Sequence, residues 1–169
     1  MTTVRAATLA DADAIGRIQV ETWRAAYTGL MPEEAISAFD VATRQAMWRE
    51  GLAREPRPGS ATFVAERGDA VVGFASVGAA RGETGGVGEL YAIYVDAASW
   101  GTGAGRALLE AAEASLHESG FSEAVLWVLE GNERAERFYR AGGWEADGGR
   151  KLDTFAGPPV PELRYRKAL

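Results

Sequence analysis

The sequence predicts an α+β fold, a mixed and mostly antiparallel central sheet flanked by helices. Three observations carry this. Helical periodicity dominates the first 55 residues, short strands joined by tight turns follow from residue 61, and the second half returns helix, strand, helix and strands in turn. The chain has 169 residues, the size of one ordinary domain, and neither an internal repeat nor a linker divides it. Residues 1–169 are therefore expected to form a single domain.

Residues 4–8 read as a first strand. Leu9-Ala-Asp-Ala-Asp-Ala opens a helix with carboxylates in its first turn, where the helix dipole favours them. Ile15, Ile18, Thr22 or Trp23, and Ala26 recur at 3.6 spacing and carry it to about Tyr27. Gly29 and Pro32 end it. Pro32-Glu33-Glu34 starts a second helical piece and residues 42–53 form a third. Residues 61–66 and 70–77 are strands of a hairpin turned at Gly68-Asp69. A glycine-rich connection over 81–88 leads into a strand over 89–95. Residues 106–119 place Leu108, Leu109, Ala112 and Leu116 on one helical face and stop at Gly120. Residues 123–129 are nearly all apolar, as a strand in the middle of a sheet is. Asn132 caps a helix carrying Ala135, Phe138 and Tyr139, closed by Gly142-Gly143. Trp144 begins another strand, residues 161–167 form the last, and residues 148–159 between them read as a polar loop.

Composition narrows the chemistry. There is no cysteine, which excludes disulfides, thiolate nucleophiles and cysteine-ligated metals. His117 is the single histidine, it sits where a helix C-terminus would hold it at the surface, and no metal site is expected. The 18 basic and 24 acidic residues leave a charge of −6. That balance argues against nucleic-acid binding and suits an amine substrate slightly better than an anionic one. No apolar run approaches the roughly 18 residues of a membrane span, so no membrane partner is expected. The first residues hold no apolar segment with a cleavage site, so the chain is expected to be cytoplasmic.

Three features carry chemistry. The first is Trp100-Gly-Thr-Gly-Ala-Gly-Arg, between a hydrophobic strand and a helix. Glycines there allow a tight turn that brings backbone N–H groups close to a ligand. The first amides of a helix lack internal partners and sit at the positive end of its dipole, so the turn makes a phosphate cradle. Neither the dinucleotide spacing nor the lysine of a P-loop is present. Arg106 in the first turn is a phosphate neighbour. The second feature pairs Asn132, at a helix start, with Tyr139 two turns on; a neutral tyrosine can protonate a leaving thiolate. The third is Glu89. Strict alternation would put Glu89, Tyr91, Ile93 and Val95 on one face, with Glu89 as a general base on the ligand side.

Together these residues resemble the GNAT superfamily of N-acetyltransferases. The family's pyrophosphate loop, Q/R-x-x-G-x-G/A, falls on Trp100-Gly101-Thr102-Gly103-Ala104-Gly105, with Trp100 where Gln or Arg is usual. The resemblance implies that the 101–105 backbone holds the pyrophosphate of acetyl-CoA. It implies that the Ile93, Tyr94 and Val95 backbone pairs with the pantetheine arm, that Asn132 bonds to the same arm and that Tyr139 is the general acid. It places Glu89 as the base, acting mostly through water. A bulge is frequent in this strand of the family and would shift the register by one. The first helices wall the acceptor pocket, where Tyr27 and Tyr91 are candidates and Trp23 is core. The implied reaction is acetyl transfer from acetyl-CoA to a primary amine of a small molecule or a protein N-terminus, by direct attack in a ternary complex. A homodimer is compatible with the family. The alternative is an acyl-CoA sensor that keeps the cradle without turnover, which would need neither Glu89 nor Tyr139.

Overall fold

The hairpin of alternating, half-apolar strands after residue 60 seeds one sheet to which the rest of the chain adds. The computed structural model describes residues 1–153 and 159–169. In chain order the elements are β1 (Thr2–Ala6), α1 (Ala12–Tyr27), α2 (Glu33–Ser37), α3 (Val41–Ala53), β2 (Ala61–Arg67), β3 (Ala70–Ala79), β4 (Val87–Val95), α4 (Ala104–Glu118), β5 (Glu123–Leu129), α5 (Glu133–Ala141), β6 (Glu145–Asp153) and β7 (Val160–Ala168). The seven described strands form one sheet in the order β1-β2-β3-β4-β5-β7-β6. Neighbours are antiparallel except β4 and β5. This is the mixed, mostly antiparallel α+β architecture that the element order predicts.

Helices cover both faces. On one face Leu108, Ala112 and Leu116 of α4 bury against Ala75, Val77, Leu126 and Tyr165 of the sheet, and Phe138 and Tyr139 of α5 pack on the rim. On the other face α1 brings Ile15 and Ile18 onto Val64 and Phe74, while Val20 and Trp23 gather Met31 and Phe39. Trp23 is core as expected, stacked on Phe39 at 4.1 Å between ring centroids. Gly16 sits inside α1 because α3 crosses there at backbone distance. A Cβ at Gly16 would lie 2.7 Å from the Gln45 amide nitrogen.

The turn into α1 is fixed by a buried carboxylate. Asp11 accepts from the Arg5 guanidinium at 2.8 and 2.9 Å and from the Thr8 amide at 2.7 Å. Arg5 beside it, then the Thr8 bonds, lower its pKa to about 2 against the opposing effect of burial.

Three expectations are corrected. The first strand is Thr2–Ala6, two residues earlier than predicted. Trp144 is buried and precedes β6 rather than starting it. Residues 148–153, predicted as loop, continue β6, while 154–158 of that predicted loop lie outside the described residues. The reason is that β6 is an edge strand. Its polar residues pair across to β7, Arg150 with Leu163 and Lys151 with Glu162, after a register shift at Gly148-Gly149. Edge position permits a polar, glycine-bearing sequence that composition alone assigns to a loop. Among the described residues no helix is long and apolar enough to cross a membrane.

Candidate active site

β4 and β5 pair only over Val87–Glu89 with Glu123–Val125. Beyond that point they splay, and a cavity of about 450 Å³ opens between them, with Tyr27, Trp127, Asn132 and Tyr139 in its walls. A bulge on β4 marks the bend. Ala92 faces Ser76 of β3 and Leu90 faces Val77, so Tyr91 is the extra residue. Ile93, Tyr94 and Val95 are laddered to β3 on one edge and turn the other edge to the cleft.

The bulge corrects the reading of Glu89. Ile93 and Val95 pack toward the α4 core, and so does Leu90. Gly88 points the same way, since a Cβ there would meet Leu116 at 2.7 Å. Glu89 therefore projects to the opposite, α1 face rather than sharing a face with Ile93 and Val95. Its residue is 1% exposed. Oε2 accepts from Arg81 Nε at 2.7 Å, and Oε1 has no hydrogen-bond partner among the described residues. Burial pushes its pKa up, with Arg81 opposing. On β4 the cavity wall begins at Leu90, and Glu89 is the residue before it, outside the lining. Tyr91 lines the cavity; its hydroxyl donates to the Ala79 carbonyl and Arg81 lies over its ring at 5.0 Å.

The glycine turn has the geometry of the predicted cradle. Gly101 and Gly103 adopt φ of +73° and +90°, a region that side-chain-bearing residues rarely enter. α4 starts at Ala104 with a cap residue that has no side chain, so the amides of Ala104, Gly105 and Arg106 face out without intrahelical partners. Thr102 donates its hydroxyl to the Ser99 carbonyl at 2.7 Å, and the Ala104 side chain is buried. These two residues offer backbone alone. Arg106 borders the cavity, with its guanidinium on Glu110 at 2.8 Å.

The far wall is aromatic and polar. Tyr139 is half-buried in α5, and burial raises its pKa, which keeps its proton in place at neutral pH. Tyr27 is pushed up to about 12 by burial, with the Tyr94 and Asn132 side chains close enough to oppose that rise. Tyr94 is raised too, by its own burial. Asn132 also accepts from the Ala135 amide at 3.2 Å, so it is both cap and cleft residue. Sequence reasoning brought these tyrosines near the site but not into one cluster.

Four residues escaped it altogether. Arg134 shares α5 with Arg137 and Arg140. Those two pair with Glu133 and Glu136 one turn back, whereas Arg134 lies over the Trp100 ring at 3.2 Å. The Trp100 indole N–H in turn donates to the Val95 carbonyl at 2.7 Å. The unusual Trp100 thus ties the end of β4, the glycine turn and α5 together. Its acid at the same spacing, Glu130, lies before α5 and pairs with Arg150, whereas Arg137 and Arg140 have theirs inside the helix. Trp127, Lys151 and Glu162 meet beside the cleft through strand pairing, and no local signal announces them.

The profile of the acetyltransferase (GNAT) family matches residues 15–143. The chain belongs to that family and is an acyltransferase. It is 38% identical over 135 residues to the uncharacterized N-acetyltransferase YuaI of Bacillus subtilis, covering 78% of this chain and 74% of that one. Among solved structures it resembles ribosomal-protein-alanine N-acetyltransferase from Brucella melitensis, with a TM-score of 0.76, 28% identity and 99% of each chain covered. The fold also matches the PaiA N-acetyltransferase of Thermoplasma acidophilum, solved with coenzyme A, with a TM-score of 0.72, 18% identity and 100% and 99% of the two chains covered.

Proposed function

We propose that this protein transfers an acetyl group from acetyl-CoA to a primary amine by direct attack in a ternary complex. The observation that carries the reading is convergence. The glycine cradle, the free edge of β4 and a protonated Tyr139 all border one cavity. The cradle fits a pyrophosphate: the space above Gly101 and Gly103 is open to 4 Å, and outward amides at a helix start favour an anion.

Acetyl-CoA supplies the acetyl group already activated as a thioester. The amides of Ala104, Gly105 and Arg106 hold its pyrophosphate, and the Ile93 to Val95 edge aligns the arm. A backbone N–H at the splayed end of β4 polarises the thioester carbonyl. Glu89 takes the ammonium proton of the acceptor, its raised pKa bringing it nearer to working pH. Tyr139 gives its proton to the departing sulfur, and the second proton, shed by the acylated nitrogen as the amide forms, restores the tyrosine. A small-molecule amine and a protein N-terminus both suit the cleft; the N-acetyltransferase names of the relatives support amine chemistry. The test is free-thiol release from acetyl-CoA across a panel of amines. Release with at least one amine class is expected. Coenzyme binding without release for any amine would leave a sensor instead.

A further inference from the structure

An ammonium group already sits against one wall residue of the cleft: Lys151 lies over the Trp127 ring, beside rather than within the cavity lining. Only two of the 18 basic residues are lysines, Lys151 and Lys167. Lys167 is tied down: its Nζ donates to Glu113 Oε2 and to the Gly142 carbonyl, both at 2.7 Å. Lys151 is held more loosely. Its Nζ lies 3.3 Å from Glu162 Oε2 and 3.3 Å from Asp153 Oδ2. Among the described residues neither contact is aligned as a hydrogen bond, and Glu162 Oε2 has no hydrogen-bond partner there although the Glu162 side chain is only 9% exposed. Below the ammonium is the indole of Trp127, 4.6 Å from Nζ to the ring centroid.

Trp127 belongs to the cavity wall. Glu162 on β7 stands opposite Leu129 of β5, which packs with Trp23 and Met31 on the α1 side, beside Tyr27. The charge of Glu162 is felt at both Tyr27 and Tyr94. An aromatic face under the cation and a buried carboxylate beside it are how proteins recognise an alkylammonium. The carboxylate is pre-desolvated, so a cation placed there interacts more strongly than at the surface. Lysine is a flexible point charge on a long stem, able to leave when a better-placed cation arrives.

We propose that Trp127 and Glu162 form the seat for the acceptor's ammonium, and that the Lys151 side chain fills it as an internal stand-in which the acceptor displaces. The group that the chain itself seats there is an unbranched primary alkylammonium, so that is the acceptor class assigned. This rests on the acetyl-transfer reading of the cleft. Glu162 acts as a positioning residue, and Lys151 sets the threshold an acceptor must overcome.

Having two lysines makes the test direct. Protein labelled with 13C at lysine Cε gives two signals. That of Lys151 is shifted upfield by the indole beneath it, and that of Lys167 serves as an internal reference. Titration with n-butylammonium should move the Lys151 signal to the position of a free lysine and leave Lys167 in place. n-Butanol, with the same chain and no charge, should move neither. Glu162→Gln should raise the midpoint of the butylammonium titration at least tenfold. Should that variant not fold, Lys151→Met keeps the apolar stem and empties the seat. It should lower KM for alkylamines several-fold with kcat unchanged. A Lys151 signal that stays fixed until ionic strength also shifts Lys167, or an unchanged or raised KM in Lys151→Met, overturns the proposal. The titration needs no acetyl-CoA. Displacement of Lys151 without thiol release from any amine would keep the seat and sink the acetyl-transfer reading. Turnover of alkylamines with a fixed Lys151 signal would do the reverse.

Discussion

The two sides of the cleft are built from different materials. The donor side is backbone: two left-handed glycines, the first amides of α4 and the unpaired edge of β4. In the proposed reaction the acceptor side is side chains: Tyr27 from α1 and Trp127 from β5 in the cavity wall, with Glu89 from β4, Lys151 from β6 and Glu162 from β7 next to it. A donor common to many reactions can be gripped by the main chain, whose groups are the same in every residue. An acceptor has to be distinguished, and only side chains differ. The contrast implies that substitutions on the donor side act through backbone conformation, and those on the acceptor side through charge and protonation.

The largest effect is expected where the two sides meet. Tyr139→Phe keeps the ring against Phe138 and Trp144 and removes one proton. Acid–base groups contribute about 10²–10⁴-fold, so kcat should fall by that order while calorimetry finds acetyl-CoA affinity nearly unchanged. A parental kcat, with chemistry rate-limiting, would remove the assignment.

Glu89→Gln comes next, with a loss of about 10²-fold at neutral pH. The pKa of Glu89 is raised, so in the parent the carboxylate becomes available as a base only above the usual range for Glu, and the rate should climb with pH through that point. The variant lacks this rise. It should partly recover only at high pH, where the amine arrives deprotonated. Overlapping pH–rate profiles would show that Glu89 takes no proton.

Gly103→Val probes the donor side. A β-branched residue at φ of +90° carries strain of about 1–3 kcal/mol, relieved by moving the amides away from the ligand. The acetyl-CoA Kd should rise about tenfold to hundredfold in a folded protein. Gly105 separates conformation from crowding. It is helical, and a Cβ there comes no closer than 3.4 Å to Phe138, so Gly105→Ala should weaken binding far less. Equal losses at both positions would mean that bulk, not backbone conformation, controls the cradle.

The smallest effect concerns the helix that carries Tyr27. Asp11 has its pKa lowered to about 2, so its bonds to Arg5 and Thr8 stabilise the fold fully above the ordinary Asp value of 3.8 and lose that effect as pH falls toward 2. Asp11→Asn should destabilise by about 1–3 kcal/mol at neutral pH. Parent and variant should converge near pH 2 in urea denaturation. A constant gap across that range would place the effect in packing rather than in charge.

How much of the site could be read beforehand follows the same division. Gly101, Gly103, Gly105, Asn132 and Tyr139 lie within one stretch, and each acts through a local property: a left-handed φ, a helix start, a cap, a two-turn spacing. Glu89 was found by type but placed on the wrong face. One inserted residue, Tyr91, reverses the alternation below it, and the bulge exists because of how β4 pairs with β3. Lys151 and Glu162 sit in segments that read from sequence as a loop and as the last strand. They acquire a role when β6 pairs with β7 and β7 with β5.

The sequence by itself determined the order and type of the elements, the left-handed glycine turn before α4 and the candidates proposed for cradle and acid, because turns, helix periods and caps are decided by residues a few positions apart. Only the tertiary structure decided where β4 parts from β5, which face Glu89 takes, that Arg134 stacks on Trp100, and that Trp127, Lys151 and Glu162 meet. Those depend on the register between strands distant in the chain. A shift of one residue sends a side chain to the other face of the sheet, and no short-range pattern records it.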